Sequence, residues 1–192
     1  AQGYTVLVVN PFYRSAKASA IKGDFSDPAA RQTLMGYRQA MTDAGVDSDA
    51  KAYLAFLDQQ PQTDKKKRAA AQGYCMGGPL SFRTAAAVAN RIGAVGSFHG
   101  GGLTTDQPSS PHLLIPKTNS AYLVAVAKNH DARDPKSKDI LKEAFTAAKK
   151  TATVEVYAGD HGWCVPGSQA YNEPEAERAW AELSKMYKAS LV

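Results

Sequence analysis

The chain has 192 residues, 44% of them hydrophobic and 21% charged, which is the balance of an ordinary soluble protein and enough for one domain, residues 1–192, with a sizeable core. Its formal charge of +5 mildly favours anionic substrates or surfaces. The one dense basic run, Lys65-Lys66-Lys67-Arg68, has no interleaved aromatics and reads as a solvated loop, and no apolar stretch approaches the length that spans a bilayer, so neither nucleic acid nor a membrane is expected as a partner.

Alternation of short apolar runs with helical patterns organises the chain. Thr5-Val6-Leu7-Val8-Val9 reads as a buried strand, and Asn10-Pro11-Phe12-Tyr13-Arg14 opens a long polar loop through Asp24, Asp27 and Pro28. Helices follow over about 29–41 and 49–59, the second with Tyr53, Leu54, Phe56 and Leu57 as its apolar face and Pro61 beyond its end. A strand is expected over 69–74 despite the poor strand propensity of three successive alanines, then a helix over 80–89 with Pro79 in its first turn. Strands at 92–98, 122–127 and 153–157 and helices at about 137–149 and 175–191 complete the order. Strands and helices joined by short links argue for an α/β fold: a mostly parallel sheet with helices on both faces. The opening Ala1-Gln2-Gly3-Tyr4 enters a strand with no initiator methionine, so sequence and N-terminal strands are expected to be missing upstream, a removed leader among the possibilities.

The chemistry concentrates at strand ends. Gly73-Tyr74-Cys75-Met76-Gly77-Gly78 joins a strand to a helix, and glycines two before and two after a residue on such a turn let the backbone fold back and display that residue as a nucleophile. Asp131 and His161 follow later strands at the same sheet edge, in the order nucleophile, acid, histidine that α/β-hydrolases use. A thiolate would attack a carbonyl carbon, an imidazole would carry the proton, and a carboxylate would fix the imidazole's tautomer. Asp131 competes with a helix-capping role, and Asp134 stands closer to that helix start. Met76 would supply one oxyanion amide. His99-Gly100-Gly101-Gly102 lies downstream of the nucleophile, where an oxyanion loop does not belong, and reads as a pocket wall with His99 as a substrate contact or a buried hydrogen-bonding side chain. His161 and Cys164 lack the second ligand pair that zinc needs, and there is no Gly-rich phosphate loop, so no metal or cofactor is expected. The two cysteines form no secreted-type framework, and a reducing, cytoplasmic compartment is the default.

These residues resemble the dienelactone hydrolase family. The Cys75 motif, Asp131 with Pro135, and His161-Gly162-Trp163 are similar to its nucleophile, acid and histidine loops, and Val8-Val9-Asn10-Pro11-Phe12-Tyr13-Arg14 and Ser97-Phe98-His99-Gly100-Gly101-Gly102-Leu103 are similar to a bacterial branch. The resemblance implies a three-layer α/β-hydrolase fold, monomeric or weakly dimeric, with a Cys75-Asp131-His161 triad and no cofactor, hydrolysing small esters or lactones through a thioester. It also implies substrate contacts at Tyr13, Arg14, His99 and Trp163, Arg14 matching one of two carboxylate-binding arginines while Val165 stands at the second. Two other readings remain: a non-catalytic ligand-binding member of the fold, and a thiol redox protein using Cys75 and Cys164.

Overall fold

A computed structural model of the protein describes residues 2–22 and 27–192, and the chain divides into two compact units, 1–63 and 64–192. Asp24 of the polar loop lies outside the described residues.

The first unit is helical. Helix α1 (Pro28–Gln39) starts where the Asp27 side chain accepts the Ala29 amide and Pro28 takes the first position, where its missing N–H costs nothing. Helix α2 (Asp43–Asp58) begins six residues earlier than the apolar pattern suggests. Thr42 caps it by accepting the Gly45 amide at 3.1 Å, a polar start that carries no hydrophobic periodicity to reveal it. The expected first strand is not one: residues 4–9 take no regular secondary structure, with Val6 and Val8 74% and 88% exposed, and join no sheet among the described residues. A strand needs a neighbour's N–H and C=O groups, and among the described residues of this unit there is no other strand to supply them.

The second unit is a parallel four-stranded sheet in the order β1 (Ala69–Tyr74), β2 (Ile92–Phe98), β3 (Ala121–Ala127), β4 (Ala152–Tyr157). Helix α3 (Gly77–Ala87) connects the first pair, and a 3₁₀ segment (Pro111–Lys117) lies between β2 and β3. Beyond β3 come α4 (Lys128–Arg133) and α5 (Ser137–Ala147), and α6 (Glu173–Ser190) closes the chain, capped where Asn172 accepts the Glu175 amide. Helix α4 is the element that the sequence reading leaves as a loop. It follows β3 with no glycine or proline to interrupt the chain until Pro135, and it puts Asn129, His130 and Asp131 on a single turn.

Strand periodicity divides the core in two. On β3, Tyr122 and Val124 join Phe82 of α3, Leu141 and Phe145 of α5, and Ile115 in one cluster. Leu123 and Ala125 join Leu183 and Tyr187 of α6, Phe98 and Trp163 in the other. Alternate residues facing opposite layers make the three-layer architecture, and β2, covered on both faces, is buried along its whole length. The alanines of β1 form a strand despite their propensity because sheet pairing and helix packing decide the matter: each pairs with β2, with a register shift between Ala69 and Ala70, and α3 lies against the strand.

Phe82 is fully buried with its ring 4.9 Å from Tyr122, so Phe82→Ala is expected to destabilise the fold by roughly 3–5 kcal/mol, read by urea denaturation.

Candidate active site

The turn between β1 and α3 is built around one residue in a left-handed conformation. Cys75 has φ of 53°, unusual for a residue with a side chain, and its backbone N–H donates both to the Phe98 carbonyl at 3.1 Å and to His99 Nδ1 at 3.2 Å. The thiol is partly exposed. A strained, half-exposed cysteine at a strand-to-helix turn is the arrangement that displays a nucleophile.

The glycine requirement falls differently from the sequence expectation. A Cβ on Gly73 would lie 1.9 Å from the Gly77 carbonyl oxygen, so Gly73 must be glycine for the chain to fold back. A Cβ on Gly77 would meet nothing; it is Gly78 that is constrained, facing Ser97 Oγ at 2.5 Å and the Gly100 backbone at 2.9 Å, because the start of α3 lies against the loop after β2. Met76 is the N-cap residue of α3, and its amide belongs to the group of N–H donors that a helix cannot satisfy internally, as an oxyanion donor must.

Three histidines from the segments that follow β2, β3 and β4 converge beside this turn. His99 is 2% exposed, and its ring lies 4.7 Å from that of His161. His161 is exposed, and its ring lies 4.9 Å from that of His130, with Nδ1 of His161 2.9 Å from Nε2 of His130. The His161 amide also donates to Asn129 Oδ1 at 3.0 Å, which fixes the histidine loop against α4. Burial comes first in lowering all three pKa values: His99 falls to about 4, with His161 and His130 adding to the effect; His130 is pressed further by Arg133; His161 by His130 and Arg133. The cluster is therefore neutral at pH 7.

The other expected site residues are placed as follows. The Asp131 carboxylate is held by Lys138 Nζ at 2.6 Å, and no hydrogen bond joins it to His161 among those described. His99 is committed to the Cys75 amide, a contact that supports the turn. Trp163 is fully buried, stacked on Tyr157 at 4.8 Å, and offers a ligand no surface in this arrangement. Tyr13 and Arg14 belong to the first unit, where both grip Asp49: the Tyr13 hydroxyl at 2.8 Å and the Arg14 guanidinium at 2.5 and 2.6 Å. Burial alone would raise the Asp49 pKa, but hydrogen bonds from Arg14 and Tyr13 outweigh it and hold the carboxylate ionised, so the Arg14 charge is already compensated. Cys75 and Cys164 are both free, and burial pushes the Cys164 thiol up to about 11, which leaves it a poor thiolate for redox exchange. Among the described residues no group of three or more His, Cys, Asp or Glu side chains is arranged to hold a metal, and no helix is long and apolar enough to cross a membrane. His130 is the site residue that the sequence reading missed; without α4 in view, nothing distinguished it from its neighbour Asp131.

The family model for the dienelactone hydrolase family matches residues 1–191. The chain belongs to the dienelactone hydrolase family. The solved structures agree on the fold. A candidate dienelactone hydrolase from Klebsiella pneumoniae subsp. pneumoniae superposes with a TM-score of 0.75 at 19% identity, covering 92% of this chain and 72% of its own. The dienelactone hydrolase-like promiscuous phosphotriesterase P91 from metagenomic libraries gives 0.68 at 22%, covering 86% and 70%. A dienelactone hydrolase from Anabaena variabilis gives 0.58 at 16%, covering 85% and 68%. No curated protein matches. Within this hydrolase family fold, the Cys75 turn and the histidine cluster lie at the carboxyl ends of the strands, where parallel α/β sheets place their functional loops.

Two consequences of this geometry are measurable. Gly73→Ala must displace backbone at the turn, so it is expected to cost more than about 2 kcal/mol in urea denaturation, whereas Gly77→Ala meets no obstacle and is expected to be near neutral. His99 has a depressed folded-state pKa, so the stability it protects is present above the unfolded value of 6.5 and is lost as pH falls to about 4. Between those limits it accounts for roughly 3 kcal/mol, and His99→Asn, which puts an oxygen acceptor near the Nδ1 position, is expected to flatten that part of the stability profile.

Proposed function

We propose that the protein is a cysteine-dependent hydrolase of small carboxylic esters or lactones working through a thioester acyl-enzyme. The observation that carries this reading is Cys75 itself: a partly exposed thiol held at positive φ on the turn between β1 and α3, with a neutral histidine cluster beside it. His161 takes the thiol proton as Sγ attacks the carbonyl carbon, and the oxyanion develops toward the Met76 amide. Collapse of the tetrahedral intermediate breaks the ester C–O bond, His161 returns the proton to the departing alkoxide, and the acyl group remains on sulfur. A water, deprotonated by the same imidazole, then attacks the thioester and releases the acid and the thiol. Every proton is accounted for by one base, and the chemistry calls for no cofactor. The sequence candidate for orienting that base is Asp131.

Family membership supports hydrolysis, and the net charge of +5 supports an anionic substrate, although Arg14 is engaged with Asp49. The second reading, a ligand-binding member without catalysis, draws its support from Asp131 being held by Lys138 rather than by the histidine.

Cys75→Ala is expected to lower kcat for 4-nitrophenyl acetate by about a thousand-fold or more, and alkylation of Cys75 to do the same. Full activity in Cys75→Ala would end the hydrolase reading. A wild-type protein that binds ester-like carboxylates but releases no nitrophenol above the alanine variant would establish the binding reading.

A further inference from the structure

Resting on the cysteine-hydrolase reading, we infer that His130, and not Asp131, is the residue that orients His161, so that an imidazole stands where a triad normally places its carboxylate.

The contact between the two rings constrains where their protons lie. His161 Nδ1 and His130 Nε2 are 2.9 Å apart, and such a contact between neutral rings needs one N–H and one lone pair. The Gly100 backbone beside His130 favours the protonated form of the ring, as a carbonyl oxygen facing a ring N–H does. With Nε2 turned to His161, Nδ1 is the nitrogen left to carry the proton of the neutral His130 ring on the Gly100 side. In the neutral ring Nε2 is then bare and accepts the Nδ1 proton of His161. That leaves a lone pair on His161 Nε2, the tautomer a general base requires. Asp131 does not take this part in the structure: its Oδ1 accepts from Lys138 Nζ at 2.6 Å, the same Nζ donates to the Pro135 carbonyl at 3.0 Å, and no hydrogen bond among those described joins Asp131 to His161. Asn129, next to His130 on α4, receives the His161 amide, so one helical turn sets both the position and the tautomer of the base.

The substitution has a chemical consequence. A carboxylate stabilises an imidazolium by opposite charge; a neutral imidazole orients without doing so. The groups facing His161 are His99 from the loop after β2, bonded in turn to the Cys75 amide, and His130 and Arg133 from α4, with the neighbouring Asp131 neutralised by Lys138. All of the uncompensated groups are neutral or positive. The base therefore titrates below the ordinary histidine value and takes the thiol proton only during attack.

The test combines an activity-independent readout with kinetics on the full chain. In wild-type protein, ¹H–¹⁵N NMR of the histidine rings is expected to show the proton of His161 on Nδ1 and a titration below 6.5. His130→Asp is expected to raise the His161 pKa by about one unit or more and to move the acid limb of kcat/KM for 4-nitrophenyl acetate upward with it. His130→Gln, whose Oε1 falls near the Nε2 position, is expected to keep the Nδ1 tautomer and most of kcat. His130→Ala loses the tautomer preference and about ten- to a hundred-fold in kcat with little change in KM. Asp131→Asn leaves tautomer, titration and kcat within about two-fold of wild type. The inference is overturned if Asp131→Asn shifts the His161 titration or tautomer while His130→Ala does not, or if the His161 proton resides on Nε2. Activity surviving in Cys75→Ala would instead sink the hydrolase reading, and the NMR result would still decide which residue orients the ring.

Discussion

The structure around the site depends on one backbone hydrogen-bond donor, the N–H of Cys75. A non-glycine residue at φ of 53° carries strain on the order of 1–3 kcal/mol, and it persists only when its surroundings over-determine it. Here they do: the N–H reaches both the Phe98 carbonyl at the end of β2 and the His99 ring beyond it, and Gly73 and Gly78 allow backbone approaches that a side chain would block. The position of Cys75 is therefore inherited from the β1–β2 register, in which Tyr74 is opposite Phe98.

The same logic runs across the sheet. The His99 amide donates to the Ala125 carbonyl of β3, and the Lys128 amide at the start of α4 donates to Gly159 after β4. Each loop is thus tied to the next strand by a backbone bond just past the sheet edge, a series running Cys75, His99, Lys128. The three histidines follow from it: His99 and His130 sit on tied segments, and His161 is held to α4 through Asn129. Loss of hydration, partial for His161 and nearly complete for His99, then favours neutral rings, which suits the proposed role of His161 as a base and the hydrogen bond that the His99 ring accepts.

Much of this was legible in the residues. The strands at 92–98 and 153–157 announce themselves by β-branched and apolar runs, and Gly73 before Cys75 marks the turn because its crowding against the Gly77 backbone is a local property. What was not legible is non-local. Residues 4–9 have strand composition, yet strand formation needs a partner that composition does not supply. Trp163 beside His161 reads as a substrate contact until the α6 layer covers it. Asp131 was preferred over its neighbours by chemical type and distance from the strand end, but α4 turns consecutive residues in different directions, and the ring facing His161 is that of His130.

The central claim is that Cys75 carries the acyl group. It is tested most directly by rapid-quench intact-mass spectrometry of the wild-type protein mixed with 4-nitrophenyl acetate, followed by peptide mapping. The account predicts a single acetyl adduct that forms with the burst of nitrophenol, maps to Cys75, and decays at the steady-state turnover rate. Turnover with no adduct, or an adduct mapping to Cys164 or a histidine, would contradict it.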